Sequence, residues 1–219
     1  MIKIKGFTLA EVLITLGVVG VVSAITIPTV INKYQERVTI SKVKKIYSTI
    51  NQAFMLSVKD NGYANEWNVN GSSYSARAIQ FMEYLKPYLK ILRDCGTSSG
   101  CLGYTKKINR LNGQQHQYNY DTSSNYYKFI LNDGSYIWIL PTSSAYCQYS
   151  TGGHTNVCSQ IYTDINGGKK PNTIGKDIFI FYITPYAIKP NTDDCNTNEI
   201  GWGCSGYILQ NGDMDYLKK

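Results

Sequence analysis

A single carboxylate stands at the head of a long apolar run near the start of the chain. Glu11 is followed by residues 12–32, which are 21 residues without a charge and are rich in Val, Ile, Leu and Ala. As a helix this run spans roughly 30 Å, the thickness of the hydrocarbon core of a bilayer. A carboxylate inside that core costs about 2.5–3.5 kcal/mol on insertion scales and needs a cation beside it. Glu11 is therefore a predicted functional residue.

Three simpler interpretations of the apolar run stand beside this one: a secretory signal peptide, a plain single-span anchor and the buried helix of a soluble protein. The run is longer than the apolar region of most signal peptides, and no small-x-small cleavage site closes it, since Ile25, Ile27 and Pro28 follow Ser23-Ala24. A plain anchor explains the length but not Glu11. A buried helix is disfavoured by the length and the apolar character.

The residues around Glu11 resemble a processing site. Residues 6–14 read Gly-Phe-Thr-Leu-Ala-Glu-Val-Leu-Ile, which is similar to the start of type IV pilins and type II secretion pseudopilins. The resemblance implies that prepilin peptidase cuts between Gly6 and Phe7 and that Phe7 becomes N-methylated. Glu11 and Pro28 then occupy the fifth and twenty-second positions of the mature chain, as in that family. The resemblance covers about the first 30 residues.

The same resemblance implies how the chain assembles. In the pilin family the fifth-residue carboxylate pairs with the N-terminal ammonium of a neighbouring subunit, so Glu11 and Phe7 are expected to set the register of a filament. The implied partners are prepilin peptidase, other pilin or pseudopilin subunits and the inner-membrane assembly platform. Pro28 donates no amide hydrogen and predicts either a kink or a stretch that unwinds on assembly.

Six cysteines predict disulfide bonds in the second part of the chain. Their number is even and no Cys-x-x-Cys occurs, so disulfides in an oxidising compartment are favoured over a zinc site. Six cysteines allow 15 connectivities, of which the pairing of sequence neighbours is the simplest. The candidates are Cys95, Cys101, Cys147, Cys158, Cys195 and Cys204.

One segment loosely resembles a calcium loop. Asp164, Asn166 and Asp177 supply oxygen atoms around Gly167, but position 175, where an EF-hand would place its glutamate, is Gly. A tight Asx turn between two strands is the favoured alternative. No metal and no cofactor other than this possible calcium ion is predicted.

A second candidate interleaves cations with aromatic rings, as proteins that bind single-stranded DNA do. An exposed loop is the favoured alternative, and nucleic acid is not an expected partner. The histidines lack a neighbouring nucleophile motif, so no enzyme is predicted. The residues concerned are Tyr104, Lys106, Lys107, Arg110, Tyr118, Tyr120, Tyr126 and Tyr127, with His116 and His154.

The periodicity of apolar residues predicts the elements that position these sites. Steps of three and four from Val43 to Val58 extend the first helix, so one helix is expected from Phe7 to about Asn61. The predicted fold is α+β, with this helix packed on a small antiparallel sheet as in pilins. The other predictions are a helix over residues 75–93 bent at Pro87, a hairpin of 126–131 and 136–140, strands at 159–165 and 177–184, and a short strand at 207–209.

These observations divide the chain into a leader (residues 1–6), a transmembrane assembly helix (7–32) and a soluble domain (33–219). The expected function is that of a structural subunit of a type IV pilus or a type II secretion filament. The alternatives are a membrane-tethered binding module outside the cytoplasm, with loops 94–126 and 141–158 contacting the ligand, and a minor pilin of a DNA-uptake system.

The expected location is the bacterial inner membrane, with a single span and the C-terminal domain outside the cytoplasm, and afterwards a periplasmic or cell-surface filament. The basic residues that follow the span favour the opposite orientation, but the leader motif and the cysteines outweigh them. The chain carries 22 Lys and Arg against 15 Asp and Glu, a formal charge of +7 that is spread along its length.

Overall fold

The computed structural model describes residues 6–103, 108–142 and 147–218. Its helices are α1 (Leu9–Asn61), α2 (Tyr74–Leu85) and α3 (Cys204–Asn211), with 3-10 turns at Lys86–Tyr88 and Asp215–Leu217. Its strands are β1 (Ile91–Gly96), β2 (Tyr127–Leu131), β3 (Tyr136–Pro141), β4 (Tyr149–Thr151), β5 (His154–Val157), β6 (Ser159–Asp164), β7 (Ile178–Ile183) and β8 (Ile188–Pro190). The predicted α+β fold with a long N-terminal helix and an antiparallel sheet is confirmed.

Helix α1 begins two residues after the predicted start and ends at the predicted Asn61. Gly62 follows with a φ of 78°, which glycine adopts at little cost, and its N–H donates to the Val58 carbonyl at 3.0 Å. The chain forms two compact units, residues 1–38 and 39–219, and α1 contributes to both.

In the second unit, α1 buries one apolar face as its periodicity predicts. The buried side chains recur at steps of three and four, whereas the lysines between them are exposed. Fully burying one large apolar side chain stabilises a fold by about 1.5–3 kcal/mol. The buried residues of α1 are Val43, Ile46, Ile50, Ala53, Phe54 and Ser57.

The second predicted helix is shorter than expected. Helix α2 is capped by Ser73, whose Oγ accepts the Ala76 N–H at 3.1 Å, and it ends at Leu85. Pro87 lies in the 3-10 turn that follows, because it cannot donate to an α-helical hydrogen bond. The prediction of helix through residue 93 is wrong, since Ile91–Gly96 forms strand β1 and pairs with β2.

Six strands form one antiparallel sheet in the order β1-β2-β3-β6-β7-β8. The predicted hairpin of β2 and β3 is confirmed, and Gly134 supplies its turn with a φ of 83°. The predicted strands β6 and β7 are confirmed as neighbours, paired from Ser159–Ile183 to Asp164–Ile178. Strands β4 and β5 form a separate two-stranded sheet.

Strand β7 is buried on both faces, which explains why its sequence is a continuous apolar run. Phe179, Phe181 and Ile183 join the core that α1, α2 and α3 share with the sheet. The alternate residues of β7 join a second core rich in aromatic rings on the opposite face. Trp138 and Tyr162 of that core stack with ring centroids 6.1 Å apart.

The C-terminal segment is helical rather than extended. Residues 207–209, predicted as a short strand, lie in α3, which ends at Asn211 and is capped by Gly212 with a left-handed φ of 76°. Helix α3 places Cys204, Ser205, Gly206 and Ile208 in the interior. The prediction is wrong because burial of this one helical face outweighs the strand propensity of Tyr and Ile.

Candidate assembly site at the start of the first helix

Thr8 and Glu11 form a capping box at the start of α1. The Glu11 Oε2 atom accepts the Thr8 backbone N–H at 2.8 Å and the Thr8 hydroxyl at 2.8 Å. In return, the Thr8 Oγ1 atom accepts the Glu11 N–H at 3.3 Å. These bonds satisfy amide hydrogens that the helix leaves unpaired, and they place a negative charge where the helix dipole favours it.

The capping box uses only one oxygen of the carboxylate. Both hydrogen bonds from Thr8 end on Oε2, and in the described part of the chain Oε1 has no hydrogen-bond donor and Glu11 no ion pair. The Glu11 side chain is exposed. The site therefore holds a carboxylate through one oxygen and leaves the other able to accept a further hydrogen bond.

An apolar surface follows Glu11 along α1. Most side chains from Val12 to Ile31 are more than 40 % exposed, and Phe7 reaches 88 %. The helix is long and apolar enough to cross a membrane by length and composition. Such a surface is unfavourable in water and needs lipid or protein around it.

Pro28 lies within α1 and does not end it. Because proline has no amide hydrogen, one carbonyl in the preceding turn lacks its helical donor. The hydroxyls of Thr26 and Thr29 donate to the carbonyls of Val22 and Ile25, at 2.9 and 3.3 Å. The choice between a kink and an unwinding stretch stays a prediction.

The predicted cleavage point lies at the edge of the described chain. Leader residues 1–5 lie outside the described residues, whereas Gly6 and Phe7 precede the helix without regular secondary structure. A Cβ atom built on Gly6 would meet no atom within 4 Å. Both Gly6 and Phe7 are exposed.

Three disulfides join cysteines that neighbour each other in sequence. Cys95 pairs with Cys101, Cys147 with Cys158 and Cys195 with Cys204. The disulfide prediction is confirmed, with the simplest of the connectivities. Each closes a short loop and restricts the unfolded chain. Because disulfides persist in oxidising compartments, they agree with a domain outside the cytoplasm.

In the possible calcium loop, the carboxylate oxygens of Asp164 and Asp177 accept hydrogen bonds, whereas the Asn166 side-chain oxygen is buried without a hydrogen-bond donor among the described residues. Asp164 Oδ1 accepts the Asn166 N–H at 2.9 Å, which is an Asx turn, and Oδ2 accepts the Gly168 N–H at 2.9 Å. The Asp177 carboxylate accepts N–H groups of Asn172, Thr173 and Asn166 at 2.6–2.9 Å. Among the residues that the structure describes, no three His, Cys, Asp or Glu side chains are grouped to hold a metal ion.

The carboxyl of Asp177 has a raised pKa despite these hydrogen bonds. Burial raises the pKa of its carboxyl, the nearby Asp164 carboxylate raises it further, and the N–H donors lower it, which leaves a pKa of about 7. The segment between β6 and β7 is therefore held by a carboxyl that titrates near neutral pH.

The predicted cation and tyrosine cluster is not a continuous surface in the described residues. Tyr120 and Tyr126 are buried in the second core, Tyr127 donates to Asp94 at 3.0 Å, and Tyr118 is exposed. Arg110 donates to Gln114. Tyr104, Lys106 and Lys107 lie outside the described residues.

The two histidines have structural neighbours. His116 is buried, its Nε2 atom lies 2.6 Å from the Tyr120 hydroxyl, and burial lowers the pKa of its imidazole. His154 Nε2 lies 2.7 Å from the Pro190 carbonyl. Each ring thus bonds a structural group, one in the second core and one at β8.

Two features of the structure were not predicted from the sequence: the capping role of Thr8 and the burial of Lys128. The first could have been predicted, because Thr8 and Glu11 have the Thr-x-x-Glu spacing of a capping box. The burial of Lys128 could not have been predicted, since it depends on the packing of residues distant in sequence. Its side chain is 0 % exposed, and its Nζ donates to the carbonyls of Thr97, Asp121 and Ser123.

A family model matches part of the chain. Residues 29–101 match DUF6613, a family of unknown function, over about a third of the chain. No curated protein and no solved structure matches the chain.

Proposed function

We propose that this chain is a pilin-like subunit that is anchored in the bacterial inner membrane by the first part of α1 and assembles into a filament after its leader is removed. The observation that carries the proposal is Glu11, a fixed carboxylate at the head of an uncharged apolar helix surface with one oxygen open to a donor. The resemblance of residues 6–14 to prepilin processing sites supports the same conclusion.

The chemistry of assembly follows from charge. Cleavage between Gly6 and Phe7 creates an ammonium group at Phe7. When α1 leaves the lipid for the interior of a filament, neither the ammonium nor the carboxylate is tolerated alone, because an unpaired buried charge is costly. Pairing the Phe7 ammonium of one subunit with Glu11 of its neighbour neutralises both and fixes the axial position of the incoming helix.

Glu11 can cap its own helix and pair with the ammonium group of a neighbouring subunit at the same time. Oε2 is held by Thr8, and the N–H of Thr8 remains after cleavage because it belongs to the Phe7–Thr8 peptide bond. Oε1 is left to accept a hydrogen bond from the neighbour's ammonium. A preorganised carboxylate loses less side-chain entropy on assembly than a free one.

The apolar side chains of α1 supply most of the cohesion in this proposal. Side chains such as Leu13, Ile14 and Val21 are more than 60 % exposed and would pack against equivalent helices of other subunits. Gly17 and Gly20 have no atom within 4 Å of a built Cβ, which leaves room for close helix contact. The disulfide-bonded unit is displayed to solvent outside the cytoplasm.

The intact mass of protein extracted from membranes tests the proposal. We expect a chain that lacks residues 1–6 and carries one added methyl group. Gly6→Val should leave the uncut form, because a side chain before the scissile bond obstructs the peptidase, whereas Gly20→Ala should be processed normally.

Two results of that measurement would contradict processing at this site. One is a wild-type chain that retains residues 1–6, which would favour a tethered binding module. The other is a Gly6→Val variant with the mature mass.

A further inference from the structure

A groove of about 650 Å³ opens beside α3 in the second unit. Tyr47 of α1 and Tyr207 of α3 present aromatic rings to it, Pro190 and Leu209 add apolar surface, and Asp193 and Asp194 add two carboxylates. The further lining residues are Thr192, Cys195, Gly203, Gly206 and Gln210.

The aromatic walls of this groove are fixed before any partner arrives. Tyr47 packs on Phe181 with ring centroids 5.7 Å apart and donates its hydroxyl to the Ile188 carbonyl at 3.2 Å. Tyr207 packs edge-on against Tyr216 at 5.1 Å. A rigid groove pays little ordering cost on binding.

The backbone that carries the acidic edge of the groove is also fixed, because it packs against the start of α3. The Asp193 carbonyl lies where a side chain on Gly203 would stand, only 1.9 Å from a built Cβ, so the segment rests directly on the start of α3. The Cys195–Cys204 disulfide ties the same segment to α3. Asp193 and Asp194 are therefore presented from a fixed backbone.

The composition of the groove selects a cation. Both aspartates are exposed, and neither forms an ion pair with a described residue; the ion pairs found there join Lys45 to Asp133, Lys86 to Asp94 and Lys218 to Asp215. Carboxylates beside tyrosine rings attract an ammonium group through charge-assisted hydrogen bonds and the negative faces of the rings.

A matching basic loop lies elsewhere in the same unit, between β6 and β7. Lys169, Lys170 and Lys176 are exposed, and none has an ion pair among the described residues. The loop is preorganised, because the buried carboxylates of Asp164 and Asp177 bind its backbone and side-chain N–H groups.

We propose that the groove of one subunit receives Lys169 and Lys170 of a second copy of this chain. Charge complementarity between a fixed acidic groove and a fixed basic loop supports this occupant. The two surfaces are different patches, so the contact is head-to-tail, and repetition of a head-to-tail contact that does not close builds a helical filament. The inference rests on the proposed filament function and names a contact outside the apolar helices.

Zero-length cross-linking of filaments assembled in cells tests the contact. A carbodiimide joins a lysine amine to a carboxylate with loss of water, but it does not couple arginine. Two variants of the chain are expressed in the same cells. One variant carries Asp193→Asn and Asp194→Asn, and the other carries Lys169→Arg and Lys170→Arg. Each copy keeps one half of the contact, so a cross-linked peptide forms only between two molecules.

We expect peptides that join Lys169 or Lys170 to Asp193 or Asp194 when both copies are present, and none when either is expressed alone. Filaments without such peptides, or groove aspartates coupled to lysines of another protein, would overturn the groove inference and leave the filament proposal standing. A chain that keeps its leader and forms no filaments would overturn both.

Charge exchange provides a second measurement. Asp193→Lys with Asp194→Lys should lower filament recovery about tenfold, because two attractive charge pairs become repulsive. Adding Lys169→Glu and Lys170→Glu should restore recovery to within about twofold. Failure of the exchange to restore filaments, with normal export and disulfide formation, would overturn the inference.

Discussion

The Nζ atom of Lys128 lies 2.7 Å from the carbonyl oxygen of Ser123, in a side chain with no solvent exposure. The same ammonium donates to the carbonyls of Asp121 and Thr97. It ties the loop before β2 to the segment after β1. The cost of burying this charge is offset by three carbonyl acceptors and by attraction to the nearby Asp121 carboxylate.

Replacing this lysine with Met should destabilise the folded domain. Lys128→Met keeps the apolar stem but leaves carbonyls without a donor, at about 1–3 kcal/mol for an unsatisfied buried group. We expect a loss of about 3 kcal/mol in the free energy of unfolding, measured by urea denaturation of the full chain in detergent. Lys90→Met, at an exposed lysine, should change it by less than about 0.5 kcal/mol. Equal stability of the two variants would contradict this role of Lys128.

The two tasks assigned to Glu11 can be separated by substitution. Glu11→Gln keeps the hydrogen bonds of the capping box but removes the charge. Thr8→Ala keeps the charge and removes one cap, which costs about 1 kcal/mol of helix stability. We expect Glu11→Gln, like Glu11→Ala, to be inserted and processed yet to enter filaments poorly, whereas Thr8→Ala assembles nearly as well as wild type.

The measurement for these variants is the fraction of mature subunit recovered in sheared filaments. Glu83→Ala, at an exposed glutamate of α2, is the matched control and should leave that fraction unchanged. Normal filament yield from Glu11→Gln would refute the pairing of Glu11 with the Phe7 ammonium.

Part of this architecture could be predicted from the sequence, because a strong periodicity of apolar residues is compatible with only one kind of secondary structure. The apolar face from Val43 to Phe54 and the run of β7 each fit one kind of element. Leu92 fitted a helix as well as a strand, and pairing of β1 with β2 decided for a strand, whereas Leu89 caps the 3-10 turn that precedes it. The groove could not be predicted, since tertiary packing alone brings Tyr47 beside Asp193.

The pH dependence of stability follows from Asp177. Burial and Asp164 raise the pKa of Asp177 to about 7, well above about 3.9 for an unfolded aspartate. Between these values the folded state binds more protons at Asp177 than the unfolded state, so this carboxyl lowers the free energy of unfolding as the pH rises from about 4 to 7, and its contribution levels off above 7. His116, whose pKa burial lowers, contributes in the opposite direction below about 6.5.

A second substitution checks the cause of this pH dependence. Asp164→Asn removes the neighbouring negative charge and should lower the pKa of Asp177, so the contribution of Asp177 should level off at a lower pH and the total decline should be smaller. Urea midpoints at a series of pH values give the pH at which the decline ends in each protein. The same end point in both proteins would show that Asp164 does not raise the pKa of Asp177.

The disulfides should differ in their accessibility to reductant. Cys147 and Cys158 are buried, with exposures of 3 % and 5 %, whereas Cys95 and Cys101 are partly exposed. Exchange requires a thiolate to reach a sulfur atom, so dithiothreitol under native conditions should open Cys95–Cys101 before Cys147–Cys158. Alkylation followed by peptide mass analysis gives the order. First opening of Cys147–Cys158 would show that local unfolding, rather than static burial, controls access.

Gly203 offers a test of the backbone contact that shapes the groove. Its φ of −67° suits any residue, so an alanine there meets no conformational strain of its own. The methyl group would instead stand 1.9 Å from the Asp193 carbonyl oxygen, which forces the 193–194 segment away from α3. Gly203→Ala should therefore lower the free energy of unfolding by about 1–3 kcal/mol through overpacking. An unchanged urea midpoint would mean that residues 193–194 move away from α3 without loss of stability. The acidic edge of the groove would then not be rigid.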